Sequence, residues 1–171
     1  MCSSDLLLID RSNVSVTMVY IPGVYTPQFQ WVLNKLPRRP QPVAPIYAPE
    51  LIAGCFVHAA EHPRRRAWWV GVPTVYTIAG NMLWPQFLDR YLARTGVQGQ
   101  QTDVPASADP EVNLWSPPDG PDGRDYGADG VFGDRAWHRD PQIWASRHHG
   151  AVAATLGAGL AAGVTALVRR R

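Results

Sequence analysis

The residues best suited to bind a ligand lie in a turn that follows a predicted buried strand. The strand pattern ends at Pro22-Gly23, and Thr26-Pro27 follows after two residues. Glycine allows close approach to the backbone, and a threonine hydroxyl with nearby backbone groups can hydrogen-bond an amide. We interpret residues 22–26 as a binding turn. A plain strand–turn–helix in which Thr26 only caps the helix is the alternative reading.

Other reactive side chains do not form a recognisable catalytic or metal site. The histidines of the C-terminal half lack the spacing of a closed metal site and have no cysteine pair beside them, so we expect them to be solvated. They are His138, His148 and His149. The carboxylates between Asp103 and Asp134 have no rigid scaffold that would hold two of them together for acid–base work.

The elements around the turn predict an α/β fold. Val14–Ile21 is rich in β-branched residues and apolar on most of both faces, which is typical of an inner strand of a parallel sheet. After the turn, Thr26 as N-cap and Pro27 at the first position start a short helix. Its predicted apolar stripe consists of Phe29, Val32, Leu33 and Leu36. Residues 37–47 are rich in proline and are predicted to be a loop.

A longer helix and a second strand follow. Pro49 and Glu50 mark the start of a helix that ends at His62-Pro63 and carries two apolar rows for packing on a sheet. The rows are Leu51, Cys55 and Ala59, and Ile52, Phe56 and Ala60. Ala67–Val70 is predicted to be a buried strand. Strands that alternate with helices in this way predict half of an open parallel sheet.

Two more helical segments complete this part of the chain. They span Pro73–Trp84 and Pro85–Thr95, with a predicted cap at Gly96. Their apolar side chains could pack on the core or on a partner subunit. These side chains are Leu83, Phe87, Leu88, Tyr91 and Leu92.

Composition divides the chain into four segments. Residues 1–6 look like a non-native leader, and residues 7–96 form the predicted sheet domain. Residues 97–149 are dominated by Asp, Gly and Pro and are predicted to be a flexible arm, because so few apolar residues cannot offset the entropy cost of ordering. Its tryptophans and Phe132 could pin the arm to the domain surface.

The last segment, 150–171, is predicted to be an apolar helix with an arginine end. Residues 151–168 carry no charge, and a helix of this length spans about 27 Å, just short of a bilayer core. Its alanines and glycines make insertion marginal. Membrane contact through 151–168 is therefore an open alternative.

Charge and cysteine content limit the class of protein. The net charge of +2 gives no basic face for nucleic acid, so we expect no nucleic-acid partner. Two cysteines do not make a disulfide framework, and no secretory signal is visible. A cytoplasmic location is the expectation, with membrane association through the last helix as the variant.

The strand, the Pro22-Gly23 turn and Thr26 resemble the segment after the sixth strand of short-chain dehydrogenases/reductases. The loop and helix that follow, and the strand at Ala67–Val70, are similar to the substrate-covering region and last strand of that family. Thr26–Phe29 and Arg38–Val43 resemble an actinobacterial-type branch with a long tail. The usual spacing has three residues between the glycine and the threonine, whereas this chain has two.

The resemblance implies a fold, a cofactor and a set of contacts. The fold would be the C-terminal portion of a Rossmann-like, doubly wound parallel sheet, followed by a largely irregular tail and the apolar helix. The cofactor would be NAD or NADP, with its nicotinamide end on Pro22, Gly23, Val24 and Thr26. A small carbonyl or alcohol substrate would lie in a pocket shaped by Tyr25, Phe29, Trp31 and Val32.

The resemblance also implies that parts of the catalytic apparatus are missing. The family places a catalytic Tyr and Lys four residues apart on one helix, where the Tyr exchanges the proton. The one lysine here is Lys35, and position 31 is Trp31. The Gly-rich phosphate turn and a catalytic Ser are also absent. We therefore expect a truncated oxidoreductase that is inactive alone and binds the cofactor weakly or not at all.

Two other hypotheses remain open. The chain could be a membrane-tethered interaction module without catalytic activity, anchored by 151–168 with 97–149 as the spacer. It could also be a folded remnant with no function of its own, whose exposed sheet edge would favour aggregation. The substrate, the choice between NAD and NADP, and self-association as a homo-oligomer are not determined by the sequence.

Overall fold

The structure is a computed structural model that describes residues 13–110, 112–118 and 124–169, and the predicted leader at 1–6 lies outside them. Within these ranges the chain is a mixed α/β fold with short strands and six α-helices. The strands are β1 (Met18–Tyr20), β2 (Gly23–Val24), β3 (Arg38–Pro40), β4 (Ile46–Tyr47), β5 (Ala67–Trp69), β6 (Gln101–Pro105) and β7 (Ala136–Trp137). The helices are α1 (Gln28–Trp31), α2 (Pro49–Glu61), α3 (Val72–Leu83), α4 (Pro85–Gly99), α5 (Pro141–Arg147) and α6 (His149–Arg169).

The described strands form three small sheets. β1 pairs in parallel with β5, and β2, β4 and β7 form a parallel three-stranded sheet in that order. β3 and β6 form an antiparallel pair. The predicted parallel pairing of 14–21 with 67–70 is confirmed, with Met18 opposite Ala67 and Tyr20 opposite Trp69.

β1 ends where Pro22 interrupts the hydrogen-bond ladder. The amide of Val70 still donates to the carbonyl of Tyr20 at 2.9 Å, but proline has no N–H to continue the pairing. After the interruption, β2 pairs with β4 instead of β5. The predicted strand Val14–Ile21 is therefore regular over Met18–Tyr20 alone, and the predicted single sheet is divided.

The prediction of a plain loop over 37–47 is wrong, because this segment contains β3 and β4. β4 lies between β2 and β7, so both of its residues are covered. Ile46 is 3% exposed and Tyr47 is fully buried. The prolines around β4 made its two residues look like part of a loop. Residues from distant parts of the chain bury this strand.

The structure differs from the predicted helix after the turn. Pro27 occupies the N-cap position of α1, so Thr26 is not the cap. The helix ends after four residues, because Val32 is extended. The Asn34 side chain hydrogen-bonds the amide of Leu36 and the carbonyl of Arg38, which stabilises a turn in place of further helix.

The longer helix α2 begins at Pro49 and ends at Glu61, as predicted. It buries Ile52, Cys55 and Ala59 against the sheets, whereas Phe56 from the second predicted row is 49% exposed. Cys55 is a free, buried thiol, which agrees with its interpretation as a small core residue.

Helices α3 and α4 occur close to the predicted positions, but Gly96 lies inside α4 instead of capping it. Most of the apolar residues expected to pack on the core are exposed, and the buried core does not cover them. Leu83, Phe87, Tyr91 and Leu92 are between 47% and 70% exposed. Contact with a partner subunit stays a prediction for this surface.

The segment 97–149 differs most from the expectation of a flexible arm. It contains the end of α4, β6, β7 and α5, and it contributes Phe132 and Ile143 to the core, at 7% and 5% exposure. Few apolar residues are enough here because they insert between elements of the N-terminal part. The predicted unit at 7–96 therefore shares its core with residues beyond 96.

The C-terminal helix α6 spans His149–Arg169. Among the described residues, no helix is long and apolar enough to cross a membrane.

Candidate functional site

A cleft of about 710 Å³ opens beside the turn at the carboxyl end of β1. This volume is within the range of small-molecule sites. All four predicted cofactor-contact residues line it: Pro22, Gly23, Val24 and Thr26. Phe29 from α1 and Ile52 and Phe56 from α2 add apolar walls. The structure thus brings the predicted binding turn together around one cleft.

The polar groups of this cleft are neutral. Its described lining includes Thr26, Gln28, Gln41 and Gln100 and contains no side chain that titrates near neutral pH. Amide and hydroxyl groups can orient a ligand through hydrogen bonds, but they do not exchange protons readily. The described lining therefore offers hydrogen bonds and apolar contact to a ligand and no side chain suited to proton transfer.

Position 23 needs a glycine because another segment of the chain packs directly against its backbone. A Cβ on this residue would lie 2.6 Å from the carbonyl oxygen of Val43 and 3.3 Å from Cβ of Pro42. The prediction that glycine makes room for a ligand is thus incomplete, because the loop at 42–43 occupies the space of the missing side chain. This contact fixes one wall of the cleft against the turn.

Thr26 is held by backbone contacts and keeps its hydroxyl available. Its amide donates to the carbonyl of Val24 at 3.1 Å. Gly130 packs so closely that a Cβ there would lie 2.6 Å from the Thr26 carbonyl oxygen. Among the described residues, no hydrogen-bond partner of the Thr26 hydroxyl is found. The side chain that was predicted to bind an amide is half-buried at the edge of the cleft.

The predicted substrate-pocket residues do not come together. Phe29 lines the cleft, whereas Tyr25 is buried in the core cluster with Phe132. Trp31 lies in another hollow, where its ring meets Tyr126 edge-on at 4.5 Å. Val32 is 42% exposed and does not line the cleft. Phe29 and Val32 do not share a helix face, because α1 ends at Trp31 and Val32 is extended.

A buried carboxylate in the core was not predicted from the sequence. Asp140 is 5% exposed, and its Oδ1 accepts from the amides of Gln142 and Ile143 at 2.7 and 3.0 Å. Its Oδ2 accepts from the amide of Val72 at 3.2 Å and from the hydroxyl of Tyr47. One carboxylate therefore connects the first turns of α3 and α5 to the central strand β4. The pair Asp140-Pro141 is the helix-start signal that could have identified it.

The two tyrosines of the core resist ionisation. Burial, followed by the hydrogen bond to Asp140, raises the pKa of Tyr47 above its usual range. Burial also raises the pKa of Tyr25, and its hydrogen bond to Asp129 adds to the effect. A phenol in either position is kept neutral and serves as a donor. The two phenols stabilise the core through their hydrogen bonds. Neither tyrosine lines the cleft.

A cluster of side chains that can ligate a metal lies at the C-terminal end of α2. One ligand atom each from His58, Glu61 and His62 lies within 4.8 Å of the others. In the sequence, this cluster could have been found from its spacing of i, i+3 and i+4. The same order, His-x-x-Glu-His, also occurs in one class of zinc enzymes. Burial, followed by the nearby His62 and Arg147, lowers the pKa of His58.

The histidines considered from the sequence lie elsewhere. His138, His148 and His149 are exposed, in agreement with their interpretation as solvated residues. His148 stacks on Trp144 with ring centroids 4.8 Å apart, and its Nδ1 lies 2.9 Å from the Trp144 carbonyl oxygen.

No family model, no curated protein and no solved structure matches this chain.

Proposed function

We propose that this chain is the C-terminal part of an NAD(P)-dependent oxidoreductase of the short-chain type. The intact enzyme would transfer a hydride between the nicotinamide and a carbonyl or alcohol substrate. The turn at 22–26 would contact the nicotinamide end of the cofactor. The supporting observation is that a cleft of about 710 Å³ lies where β1, paired in parallel with β5, ends in this turn.

The position of the cleft supports the proposal on topological grounds. In open α/β sheets, ligands bind outside the carboxyl ends of parallel strands. Gly23 and Val24 follow the carboxyl end of β1 by a few residues and line the cleft. β2 contributes Gly23 and Val24 to the lining, and Pro49, which follows the carboxyl end of β4, also lines the cleft, although the described strands are divided among separate sheets. A Rossmann-like sheet in the parent protein is part of this proposal.

The lining fits one end of a dinucleotide. Val24 and Phe29 offer apolar surface to a nicotinamide ring, and the Thr26 hydroxyl is a suitable partner for its carboxamide. The pyrophosphate needs positive charge or a row of helix-start amides, and the described lining contains no Lys or Arg. The residues therefore fit the nicotinamide and not the whole cofactor.

Proton transfer would come from outside this chain. The Tyr-x-x-x-Lys pair expected from the resemblance does not occur around Lys35, because the residue four positions earlier is Trp31. The two buried tyrosines, Tyr25 and Tyr47, donate to carboxylates and do not line the cleft. We expect no dehydrogenase activity from the purified chain with simple alcohols or carbonyls.

The test is the genomic DNA upstream of the codon for Met1. We expect a reading frame, continuous with this one, that encodes a Gly-rich turn after a first strand and a Tyr-x-x-x-Lys helix. An upstream region without such a frame would contradict the proposal. So would purified chain that oxidises or reduces NAD(P) with any simple alcohol or carbonyl, because the cleft has no group to exchange the proton.

A further inference from the structure

We propose that His58, Glu61 and His62 form a binding site for a divalent transition metal, with Zn²⁺ as the best-suited ion. The two imidazoles and the carboxylate supply three ligands from the last turn of α2 and its C-cap residue His62, and ligand atoms of the three residues lie within 4.8 Å of one another. Zn²⁺ accepts nitrogen and carboxylate oxygen and commonly keeps one position open for water when the protein supplies three ligands. The site is independent of the proposed oxidoreductase function.

The hydrogen bond of His62 orients its ring for a metal. Nδ1 of His62 lies 2.8 Å from the carbonyl oxygen of His58, so this nitrogen carries the proton and donates. The lone pair of a neutral His62 is then on Nε2, which is the nitrogen available to an ion. Metal-binding histidines usually have such a partner on their other nitrogen, since it fixes both the tautomer and the ring orientation.

Packing holds the two rings near each other before any ion binds. The ring centroids of His58 and His62 are 4.1 Å apart, and the Trp68 ring meets them at 5.0 and 6.2 Å. His58 is half-buried, whereas Glu61 and His62 are exposed. Ligand atoms of a zinc site lie about 2 Å from the ion, so the two exposed side chains would move toward the ion when it binds.

Nearby cations limit the affinity. Arg147 donates to Cys55 Sγ at 3.1 Å. Arg147 and His148 are both close enough to His58 to lower its pKa. Arg65 lies over Trp68, 4.0 Å from the ring centroid. One carboxylate offsets only part of this positive charge. We therefore expect a dissociation constant for Zn²⁺ on the order of 10 µM, weaker than in four-ligand structural sites.

The site lies apart from the cleft. The cleft is lined by the first two turns of α2, through Pro49, Ile52, Ala53 and Phe56, and the three ligands lie at the last turn and the C-cap. Trp68 of β5 packs against the two imidazoles but supplies no ligand. Ligand loss should therefore leave the shape of the cleft unchanged.

The experiment is a calorimetric titration of the full chain with ZnCl₂ at neutral pH. We expect one ion per chain, and a loss of affinity of at least about tenfold in His62→Ala and in Glu61→Gln, because removing a ligand should cost no less than removing its hydrogen-bond partner. His138→Ala is the matched control, since it removes an exposed histidine outside the cluster, and its affinity should be unchanged. Far-UV circular dichroism establishes that each variant is folded.

A second measurement locates the ion without relying on loss of a ligand. Co²⁺ should quench the fluorescence of Trp68, because its ring packs against both histidines. Trp68→Phe should lose this quenching while it still binds Zn²⁺. The proposal is overturned if the wild-type chain shows no Zn²⁺ binding at 100 µM metal, or if His138→Ala weakens binding as much as His62→Ala.

Discussion

Asp140 shows how much of this fold depends on single polar residues. Its two carboxylate oxygens accept from three backbone amides and from the Tyr47 hydroxyl while the residue is 5% exposed. A buried carboxylate is tolerated only when hydrogen bonds replace its hydration. The Asp-Pro pair could have been recognised in the sequence as a helix start. The contacts of Asp140 with Val72 and Tyr47, however, join residues that are 68 and 93 positions apart, respectively. Such partners cannot be predicted from local pattern.

Tyr47→Phe should lower stability and change its pH dependence. Loss of a hydrogen bond to a charged group costs about 1.5–3 kcal/mol of the free energy of unfolding. The Tyr47 pKa is raised in the folded state above the value of about 10 of an unfolded chain, so the stabilisation is complete below pH 10 and is lost as pH rises above it. Urea unfolding at pH 8 and pH 10.5 should show a smaller decline in Tyr47→Phe than in the wild type.

The control for that prediction is Tyr76→Phe. Tyr76 is 59% exposed, so its removal should change the free energy of unfolding by no more than about 0.5 kcal/mol. Equal effects of the two substitutions would show that the Tyr47–Asp140 contact contributes nothing particular.

Gly23→Ala should destabilise the turn. The added Cβ would lie 2.6 Å from the Val43 carbonyl oxygen, and backbone shifts of this kind cost about 1–3 kcal/mol. Gly96→Ala is the matched control, because Gly96 is in α4 with open space around it, and alanine there should stabilise by about 0.5–1 kcal/mol. Thermal unfolding monitored by circular dichroism measures both. If Gly23→Ala is as stable as the wild type, the contact with 42–43 does not constrain the turn.

At the scale of elements, the longer periodic segments were predictable and the short ones were not. α2, α3 and α4 repeat their apolar residues over three or more turns, and the start of α2 is marked by proline and glutamate. β4 and β7 have two residues each, and their positions come from pairing across the chain, β4 with β2 and β7 with β4. The predicted helix after Thr26 is present but ends at Trp31, and the side chain of Asn34 stabilises a turn after it.

The segment 97–149 provides an element-scale prediction. Phe132→Ala should lower the free energy of unfolding by about 3–5 kcal/mol, because the ring is 7% exposed and packs edge-on against Phe29 at 6.1 Å. Trp115→Ala should have an effect of no more than about 0.5 kcal/mol, since Trp115 is 85% exposed. Urea unfolding of both variants is the measurement. A mobile arm pinned only at its surface would give two small values.

At the scale of the whole molecule, the sequence indicated the parallel pairing and the turn but not the distribution of the core. Val14–Ile21 and Ala67–Val70 were recognisable because both are short apolar runs rich in β-branched or aromatic residues. The second core cluster combines Tyr25, Ile46 and Ala48 with Phe132, so it needs both halves of the chain. Residues that line the cleft follow the same logic, since Gln41, Val43 and Gln100 approach the turn from distant segments.

Location and assembly stay predictions. The exposed apolar residues of α3 and α4, among them Leu83 and Phe87, are compatible with a partner subunit, and analytical ultracentrifugation would measure self-association. Cytoplasmic location and membrane contact through 151–168 need fractionation of cells that express the chain.

The most direct test of the central claim is a nuclear magnetic resonance titration of the full chain with reduced nicotinamide mononucleotide. The account predicts weak binding, on the order of millimolar. The largest backbone shifts should fall on Gly23, Val24 and Thr26, and they should be reduced in Thr26→Val. NADPH should bind no more than a few times more tightly, because the cleft does not hold a pyrophosphate. Shifts confined to other parts of the chain, or no shifts at saturating mononucleotide, would contradict a nicotinamide contact at this turn.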